Sequence, residues 1–176
     1  MFRIPFLILL CWGSAINAAS LLPLWDSSYS GDYGGNGGKR FSHAANQQDG
    51  PITAIRIHID SNYIVGLQVR YGRHWSEYIG GSSGEREEIF LHKGESVIQV
   101  TGRYGSYVQR LVFITDQNRT FIFGNDAGTT FNAAPIFKGT VLRYFTGRAS
   151  SYINSIGFHW GDYPKNVPNC AERGNL

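Results

Sequence analysis

The chain has 176 residues, among them 22 Gly, 11 Phe, 10 Tyr and 4 Trp, and only 16% of its residues are charged. Intrinsically disordered proteins show the opposite balance and are excluded, and a helical bundle would be richer in Ala, Leu, Glu and Lys. Many glycines combined with aromatic and β-branched residues are typical of an all-β protein with tight turns. The formal net charge of +3 is small, so we expect no nucleic-acid partner, which usually requires a clustered basic stripe.

Residues 1–18 are predicted to be a secretory signal peptide. The chain starts with Met1-Phe2-Arg3, continues with an apolar run from Ile4 to Trp12, and then offers small residues for cleavage after Ala15 or Ala18. The apolar run is too short to span a bilayer. We therefore expect a secreted mature protein without a transmembrane segment.

Two positions suggest covalent modification. Cys170 is the one thiol left after loss of the signal peptide, and it lies in a C-terminal tail, residues 164–176, that we expect to be flexible. An odd Cys in a secreted chain suggests a disulfide with a partner molecule or a capped thiol, but an inert thiol fits equally well. Asn118-Arg119-Thr120 is an N-glycosylation sequon in a predicted turn, and the sequence leaves open whether it is used.

The chain also contains an internal threefold repeat, with offsets of 44 and 45 residues. Three similar segments begin with Tyr and alternate apolar and polar residues: 63–69, 107–113 and 152–158. At the same offsets, Gly50, Gly94 and Gly139 each precede another alternating segment. Each unit therefore predicts a β-hairpin.

Further short strands are predicted beside the hairpins, at residues 88–91, 121–123 and 136–137, with residues 39–43 completing the last unit. Three units of this kind predict three similar sheets around a pseudo-threefold axis, each burying one face. A plain sandwich is the alternative. A propeller is excluded because three blades are too few to close a ring.

Two loops carry a resemblance to the jacalin-related lectin family. The segment 33–38 (Tyr-Gly-Gly-Asn-Gly-Gly) resembles the family's glycine loop, and residues 150–154 stand where the family has its G-x-x-x-D sugar-binding loop, followed by a similar strand at 156–160. Residues 28–31, 37–43, 49–54 and 88–92 resemble a secreted vertebrate member. The resemblance covers residues 27–163 as one jacalin-type lectin domain. It implies the β-prism I fold, with three four-stranded Greek-key sheets.

The resemblance further implies a secreted lectin that binds mannose-type glycans and also microbial wall polysaccharide or sulfated glycosaminoglycan, located in the secretory granule lumen or extracellular mucus. Glycines let a backbone approach a sugar closely. By resemblance, the glycine loop donates an N–H to a sugar hydroxyl, two residues of the second loop donate to the ring oxygen and primary hydroxyl, and the last residue accepts from two hydroxyls. The implied carbohydrate-binding residues are Gly37, Gly38, Ser150, Ser151, Tyr152 and Asn154, flanked by Arg103 and Tyr104.

The second loop departs from the family pattern at both ends, with Ser150 for Gly and Asn154 for Asp. An amide offers one oxygen acceptor and no charge assistance, so we expect a loss of about 1 kcal/mol or more, which at the upper end is roughly tenfold in affinity. The alternative function is an adaptor of granules or mucus that keeps the fold with a weakened or lost sugar site. Tyr152 recurs as Tyr63 and Tyr107 in the other repeats, which favours a structural role for its ring over stacking on a sugar.

Basic residues predict a second, anionic-glycan surface, on the expectation that the repeat gathers them on one side. Its predicted members are Lys39, Arg40, Arg56, Arg70, Arg73 and Arg110. Scattered surface charge is the alternative.

No metal or cofactor is expected, because the five His lack the paired spacing of zinc sites and are interpreted as solvated strand positions. They are His43, His58, His74, His92 and His159. Glu85, Glu87 and Glu88 adjoin a Gly/Ser-rich turn and are interpreted as a solvated loop rather than a glycosidase pair. We therefore expect a binding protein and not an enzyme.

Overall fold

The computed structural model describes residues 26–164. The predicted signal peptide, Cys170 and the tail beyond Pro164 lie outside the described residues. The described part contains a single short 3-10 helix, η1 (Asn46–Asp49), and thirteen strands. The strands are β1 (Ser27–Gly34), β2 (Lys39–Ser42), β3 (Ile52–Ile59), β4 (Ile64–Tyr71), β5 (His74–Trp75), β6 (Ile79–Gly80), β7 (Glu85–Phe90), β8 (Val97–Tyr104), β9 (Val108–Thr115), β10 (Thr120–Gly124), β11 (Thr129–Ala133), β12 (Thr140–Ala149) and β13 (Ile153–Asp162).

The strands form three antiparallel sheets, one for each sequence repeat. Sheet I has the order β5-β4-β3-β7, with β6 also paired to β4; sheet II has the order β10-β9-β8-β11; sheet III has the order β1-β13-β12-β2. Each sheet is centred on a hairpin, respectively β3–β4, β8–β9 and β12–β13. The predicted all-β fold of three Greek-key sheets is confirmed.

Sheet III differs from the other two in how its outer strands are supplied. In sheets I and II the outer strands follow the central hairpin in the chain, whereas in sheet III they come from the N-terminus. β1 pairs with β13 from Ser27↔Gly161 to Gly34↔Ser155, and β2 pairs with β12 from Thr146↔Ser42 to Ala149↔Lys39. The two ends of the domain are thus joined in one sheet.

Two predicted segments were wrong. The outer strand of sheet II is β11 and not residues 136–137, because Phe131 and Ala133 alternate into the core whereas Ile136 and Phe137 lie in a loop and are 77% and 41% exposed. Pro135, which cannot donate to a ladder, separates the two segments. The acidic cluster predicted as a solvated loop lies in strand β7, where Glu88 pairs with Arg56.

The core lies between the inner faces of the three sheets. Its largest fully buried side chains come from all three sheets: Tyr71, Phe113, Phe123, Phe145, Phe158 and Trp160. At one end of the axis the repeated tyrosines meet, with ring centroids 5.1 Å apart for Tyr107–Tyr152 and 5.2 Å for both pairs that include Tyr63. Each such aromatic pair contributes about 0.5–1.5 kcal/mol beyond area burial. The repeat therefore encodes the contact that closes this end of the domain.

The expectation that all five His are solvated was wrong for His43, which is only 2% exposed. Its ring packs near Phe41, Tyr71 and Phe145, and neither ring nitrogen has a hydrogen-bond partner within the described part of the chain. Burial penalises the charged imidazolium and lowers the pKa of His43 to about 4. The neutral ring is therefore part of the folded core.

We predict that His43 makes the protein acid-labile. Above pH 6.5, the ordinary pKa of a His side chain, the ring is neutral in both the folded and the unfolded state. As the pH falls from 6.5 towards 4, only the unfolded chain binds the proton. The free energy of unfolding should therefore decrease by about 3 kcal/mol over that window. Denaturant unfolding at a series of pH values measures this slope.

The matched variants are His43→Leu, which should flatten the slope, and His74→Gln, which should not, because the His74 side chain is 74% exposed. Parallel pH profiles for wild type and His43→Leu would contradict the assignment.

Candidate functional site

The β1–β2 loop and the β12–β13 loop meet at one end of sheet III. β1 is antiparallel to β13 and β2 is antiparallel to β12, so the loop after β1 and the loop after β12 come to the same end of the sheet. The first loop is the predicted glycine loop, and the second contains residues 150–152. Strand pairing alone therefore juxtaposes two loops that are more than a hundred residues apart in the chain.

The glycine loop lies directly against Asn154. The Gly35 N–H donates to the Asn154 carbonyl oxygen at 2.9 Å. A Cβ built on Gly38 would lie 2.6 Å from Asn154 Oδ1, and one on Gly37 would lie 2.7 Å from Asn154 Nδ2. Gly38 also has φ +72°, a conformation that favours glycine. Only glycines allow the backbone to approach the amide this closely.

The Asn154 side chain is 5% exposed, and its oxygen already has an internal partner. The Ser150 hydroxyl donates to Asn154 Oδ1 at 2.8 Å, and the Ser150 N–H donates to the Tyr152 carbonyl at 2.9 Å. Ser150 does not have the positive φ that would require glycine there, since Asn118 is the one non-glycine residue with positive φ in residues 26–164. Serine therefore fits the loop backbone, but its hydroxyl occupies the acceptor that the resemblance assigns to a sugar.

The ring of Tyr152 belongs to the tyrosine triangle with Tyr63 and Tyr107. The negative charge of Asp60 is the main reason that its pKa is raised. Ser151 is exposed at the tip of the loop, and its carbonyl oxygen packs against Gly81 of sheet I. The loop is thus fixed by the Tyr152 side chain, while its tip stays at the surface.

The predicted flanking residues lie in the neighbouring sheet II and are held there. Arg103 Nε pairs with Asp126 at 2.5 Å, and the Tyr104 ring packs near Phe131, with centroids 6.2 Å apart. The β8–β9 loop, which follows Tyr104, contacts the glycine loop through the Ser106 backbone. A Cβ built on Gly35 would lie 2.6 Å from the Ser106 carbonyl oxygen.

Sequence reasoning missed Arg148, whose Nη1 donates to the Gly38 carbonyl at 3.1 Å. The repeated Thr-Gly-Arg at 101–103 and 146–148 was the signal that could have identified it, because Arg148 stands in sheet III where Arg103 stands in sheet II. Arg148 fixes the position of the glycine loop from the β12 side.

The six predicted anionic-glycan residues are distributed over three sheets and a turn. Lys39 and Arg40 lie in β2, and Arg40 is the register partner of Arg148 in β12. The other four lie away from β2: Arg56 pairs with Glu88 and stacks on Trp75, Arg70 lies over Phe90 and Trp75, Arg110 pairs with Asp126, and Arg73 is exposed in the β4–β5 turn. Of the six, only Lys39 and Arg40 adjoin the two loops.

Three other features of residues 26–164 bear on function. No group of three or more His, Cys, Asp and Glu side chains is arranged to hold a metal ion, and none of the helices in this range is long and apolar enough to span a bilayer. Asn118 of the sequon is exposed in the β9–β10 turn with φ +58°.

Residues 30–159 match the Jacalin-like lectin domain family. The match spans most of the chain, and the protein belongs to this family of lectins. Among its relatives is human zymogen granule membrane protein 16, which is 56% identical over 173 residues, with 97% of this chain and 100% of the relative covered. The rat protein of the same name is 55% identical over 170 residues, with the same coverage.

Solved structures agree with the fold. The crystal structure of a prostate-specific WGA16 glycoprotein lectin superposes with a TM-score of 0.69 at 35% identity, covering 78% of this chain and 100% of that one. Artocarpin complexed with Me-α-mannose superposes with a TM-score of 0.67 at 23% identity, covering 77% and 98% of the two chains. The β-prism architecture is therefore shared with these two lectins.

We predict that Gly38→Ala destabilises the protein by about 3 kcal/mol, because the methyl group adds overpacking against Ala149 and Asn154 to the strain of a positive φ. Gly94→Ala is the matched control, since Gly94 has φ +81° but, apart from its two chain neighbours, no other residue of 26–164 has an atom within 4 Å of its added Cβ. The control should cost only about 1 kcal/mol. Chemical denaturation measures both, and equal losses would show that contact with Asn154 is not what requires glycine at position 38.

Proposed function

We propose that this protein is a secreted lectin that binds mannose-type glycans, including those of microbial wall polysaccharide, at the junction of the glycine loop and the β12–β13 loop. The observation that carries the proposal is the close approach of Gly37 and Gly38 to the Asn154 amide. Residues of the other two sheets border the two loops: the Ser106 backbone lies against Gly35 of the glycine loop, and Gly81 lies against the Ser151 carbonyl. The two loops present backbone groups at a shallow surface, as recognition of a hexose requires.

The chemistry assigned to the site follows from what a hexose offers. Its hydroxyls both donate and accept, so backbone N–H groups at Gly38, Ser151 and Tyr152 supply donors and Asn154 Oδ1 supplies an acceptor. Arg148 holds the Gly38 carbonyl and so keeps the glycine loop in place. All of these groups are neutral at the point of contact, and each neutral hydrogen bond contributes about 0.5–1.5 kcal/mol. We expect a weak site.

The bond from Ser150 to Asn154 supports the second candidate, an adaptor that keeps the lectin fold with a weakened site. A sugar hydroxyl that donates to Asn154 Oδ1 must share the oxygen with the Ser150 hydroxyl or displace it. Displacement replaces one hydrogen bond by another and yields little net free energy. The same loop geometry thus suits a lectin of low affinity and an adaptor whose sugar site is no longer used.

The test is to restore the acceptor in two steps. Asn154→Asp should raise the affinity for methyl α-mannoside about fivefold, because charge-assisted hydrogen bonds gain about 1 kcal/mol over neutral ones. Adding Ser150→Gly should raise it several-fold further by freeing Oδ1. Ligand-observed NMR titration measures both affinities. Asn154→Leu, similar in volume but without an acceptor, is the control and should bind no mannoside.

If neither Asn154→Asp nor the double variant gains affinity over wild type, the loops do not form a hexose site and the adaptor becomes the better proposal. A glycan array of the wild-type protein, probed at low and physiological salt, then identifies any other ligand.

We further propose that anionic glycans contact a smaller cationic surface than the six residues first predicted: Lys39, Arg40 and Arg148, named here the β2 cluster. Within residues 26–164 none of the three forms an ion pair, whereas Arg56 and Arg110 are neutralised by Glu88 and Asp126. Free cations attract sulfate groups, and salt screens that attraction over about 10 Å. Position beside the two loops would let one glycan contact both surfaces.

We predict that Arg40→Gln lowers the salt concentration at which the protein elutes from immobilised heparin, because a charge without an internal partner is removed. Arg56→Gln is the matched control and should elute as wild type does. Equal effects of the two variants would indicate scattered surface charge instead of a defined cluster.

Glycosylation of Asn118 also stays a proposal, supported by the exposure of the β9–β10 turn. β9 runs from Val108 beside the tyrosine triangle to Thr115, so the sequon lies at the end of the domain opposite the sugar site. A glycan there would leave the proposed site open.

A further inference from the structure

Sheet II repeats the geometry of the proposed sugar site. Its counterpart of the glycine loop is the β10–β11 loop, residues 124–128, and its counterpart of the β12–β13 loop is the β8–β9 loop, residues 105–109. In sequence, residues 105–109 (Gly-Ser-Tyr-Val-Gln) keep the glycine that sheet III has replaced by Ser150, with Gln109 in the acceptor position. The correspondence extends to individual contacts.

The backbone contacts of the two loop pairs are the same. The Asn125 N–H donates to the Gln109 carbonyl at 3.1 Å, as the Gly35 N–H donates to that of Asn154 at 2.9 Å. Arg103 Nη1 donates to the Gly128 carbonyl at 3.2 Å, as Arg148 Nη1 donates to that of Gly38 at 3.1 Å.

The side chain in the acceptor position is also placed alike. Gly128 has φ +92°, and a Cβ there would overlap Gln109 Oε1 and the Tyr104 carbonyl, just as one at Gly38 would overlap Asn154 Oδ1 and the Ala149 carbonyl. Gly128 therefore leaves space for the Gln109 side-chain oxygen, as Gly38 leaves space for that of Asn154.

One difference matters chemically. In sheet III the acceptor is satisfied by the Ser150 hydroxyl, but the residue in that position of sheet II is Gly105, which has none. Gln109 Oε1 is buried and has no hydrogen-bond partner within the described residues. A buried acceptor that is left unsatisfied destabilises the folded state. A Cβ on Gly128 would overlap this oxygen and one on Gly105 would lie 3.8 Å from it; both residues are exposed glycines, so neither places a side chain over the oxygen.

We infer that the β8–β9 and β10–β11 loops form a second hexose-binding site, with Gln109 Oε1 accepting from a sugar hydroxyl and the Gly128 and Ser106 backbone N–H groups donating. The inference rests on the proposed function for its ligand class only. Asp126, held by Arg103 and Arg110, forms a charged rim on this second site. The first site has Asn36 at that place in its glycine loop.

Sheet I supplies an internal control. It keeps the glycine cradle, because the Gly81 N–H donates to the Val65 carbonyl at 3.0 Å and Gly84 has φ +84°. However, the acceptor position is Val65, which has no polar side-chain atom and is fully buried. Sheet I therefore has the backbone of a site without its acceptor, and no third site is expected.

The two sites would lie beside the tyrosine triangle, one on sheet III and the other on sheet II. Such closeness lets a branched glycan with two terminal hexoses engage both sites on one molecule, which raises avidity without any new contact. For branched glycans, this avidity would partly offset the weaker binding expected of the first site, where Asn154 replaces the family's Asp.

The test is titration of the 15N-labelled protein with methyl α-mannoside, followed by amide shifts. Two groups should shift, residues 37–38 with 150–152 and residues 105–107 with 127–128, while residues 61–63 and 81–84 of sheet I should not. Gln109→Met should abolish the shifts of the second group only, and Asn154→Leu those of the first group only. Gln109→Met removes an unsatisfied acceptor at similar volume, so the protein should be as stable as wild type or more stable.

The outcomes separate the two proposals. Shifts in the first group alone overturn the second site and leave the first proposal standing; they would mean that water satisfies Gln109. Shifts in the second group alone support the second site and remove the proposed function of the first. If either single variant loses the shifts of both groups, the loops form one coupled site and the inference of a separate second site is overturned. If neither group shifts in the wild-type protein, both proposals are overturned. Gln109→Asp provides a gain-of-function check, with about fivefold tighter binding in the second group.

Discussion

The pairing of the first two strands of the domain with its last two is the constraint on which the site depends. β1 on β13 and β2 on β12 complete sheet III and bring the glycine loop to the end of β12. Each strand left unpaired would expose a row of backbone hydrogen-bonding groups. Closing the sheet satisfies those groups and, in the same step, places Gly38 against Asn154. The same strand pairings therefore complete the fold and form the proposed site.

The three repeats share their backbone geometry but differ in one side chain. All three contribute a tyrosine to the triangle at the axis, and all three keep glycines that let one loop backbone lie against the next. The units differ at the acceptor position, which is Val65 in sheet I, Gln109 in sheet II and Asn154 in sheet III. Backbone geometry is therefore shared by the three repeats, and they differ in the side chain at this one position.

The acceptor positions also show how a binding protein manages buried polar groups. Asn154 in sheet III is buried and satisfied internally by Ser150, which secures the loop but competes with a ligand. Gln109 Oε1 in sheet II is buried and has no partner among residues 26–164, which costs folding free energy and leaves the oxygen without a competing internal donor there. In the proposed site, the hydrogen bond that stabilises the loop is therefore the one that a sugar would have to share or displace. His43, whose ring nitrogens have no partner among the residues that the structure describes, shows a similar cost in the core.

The sequence by itself determined the fold, because the 44- and 45-residue offsets fix three hairpins and period-two alternation fixes which faces are buried. It also identified the loops at 33–38 and 150–154. Only the tertiary structure decided that Ser150 bonds to Asn154, that Arg148 holds Gly38 and that His43 is buried. These facts depend on contacts between segments distant in the chain, and local periodicity carries no information about which partner a polar atom meets across sheets.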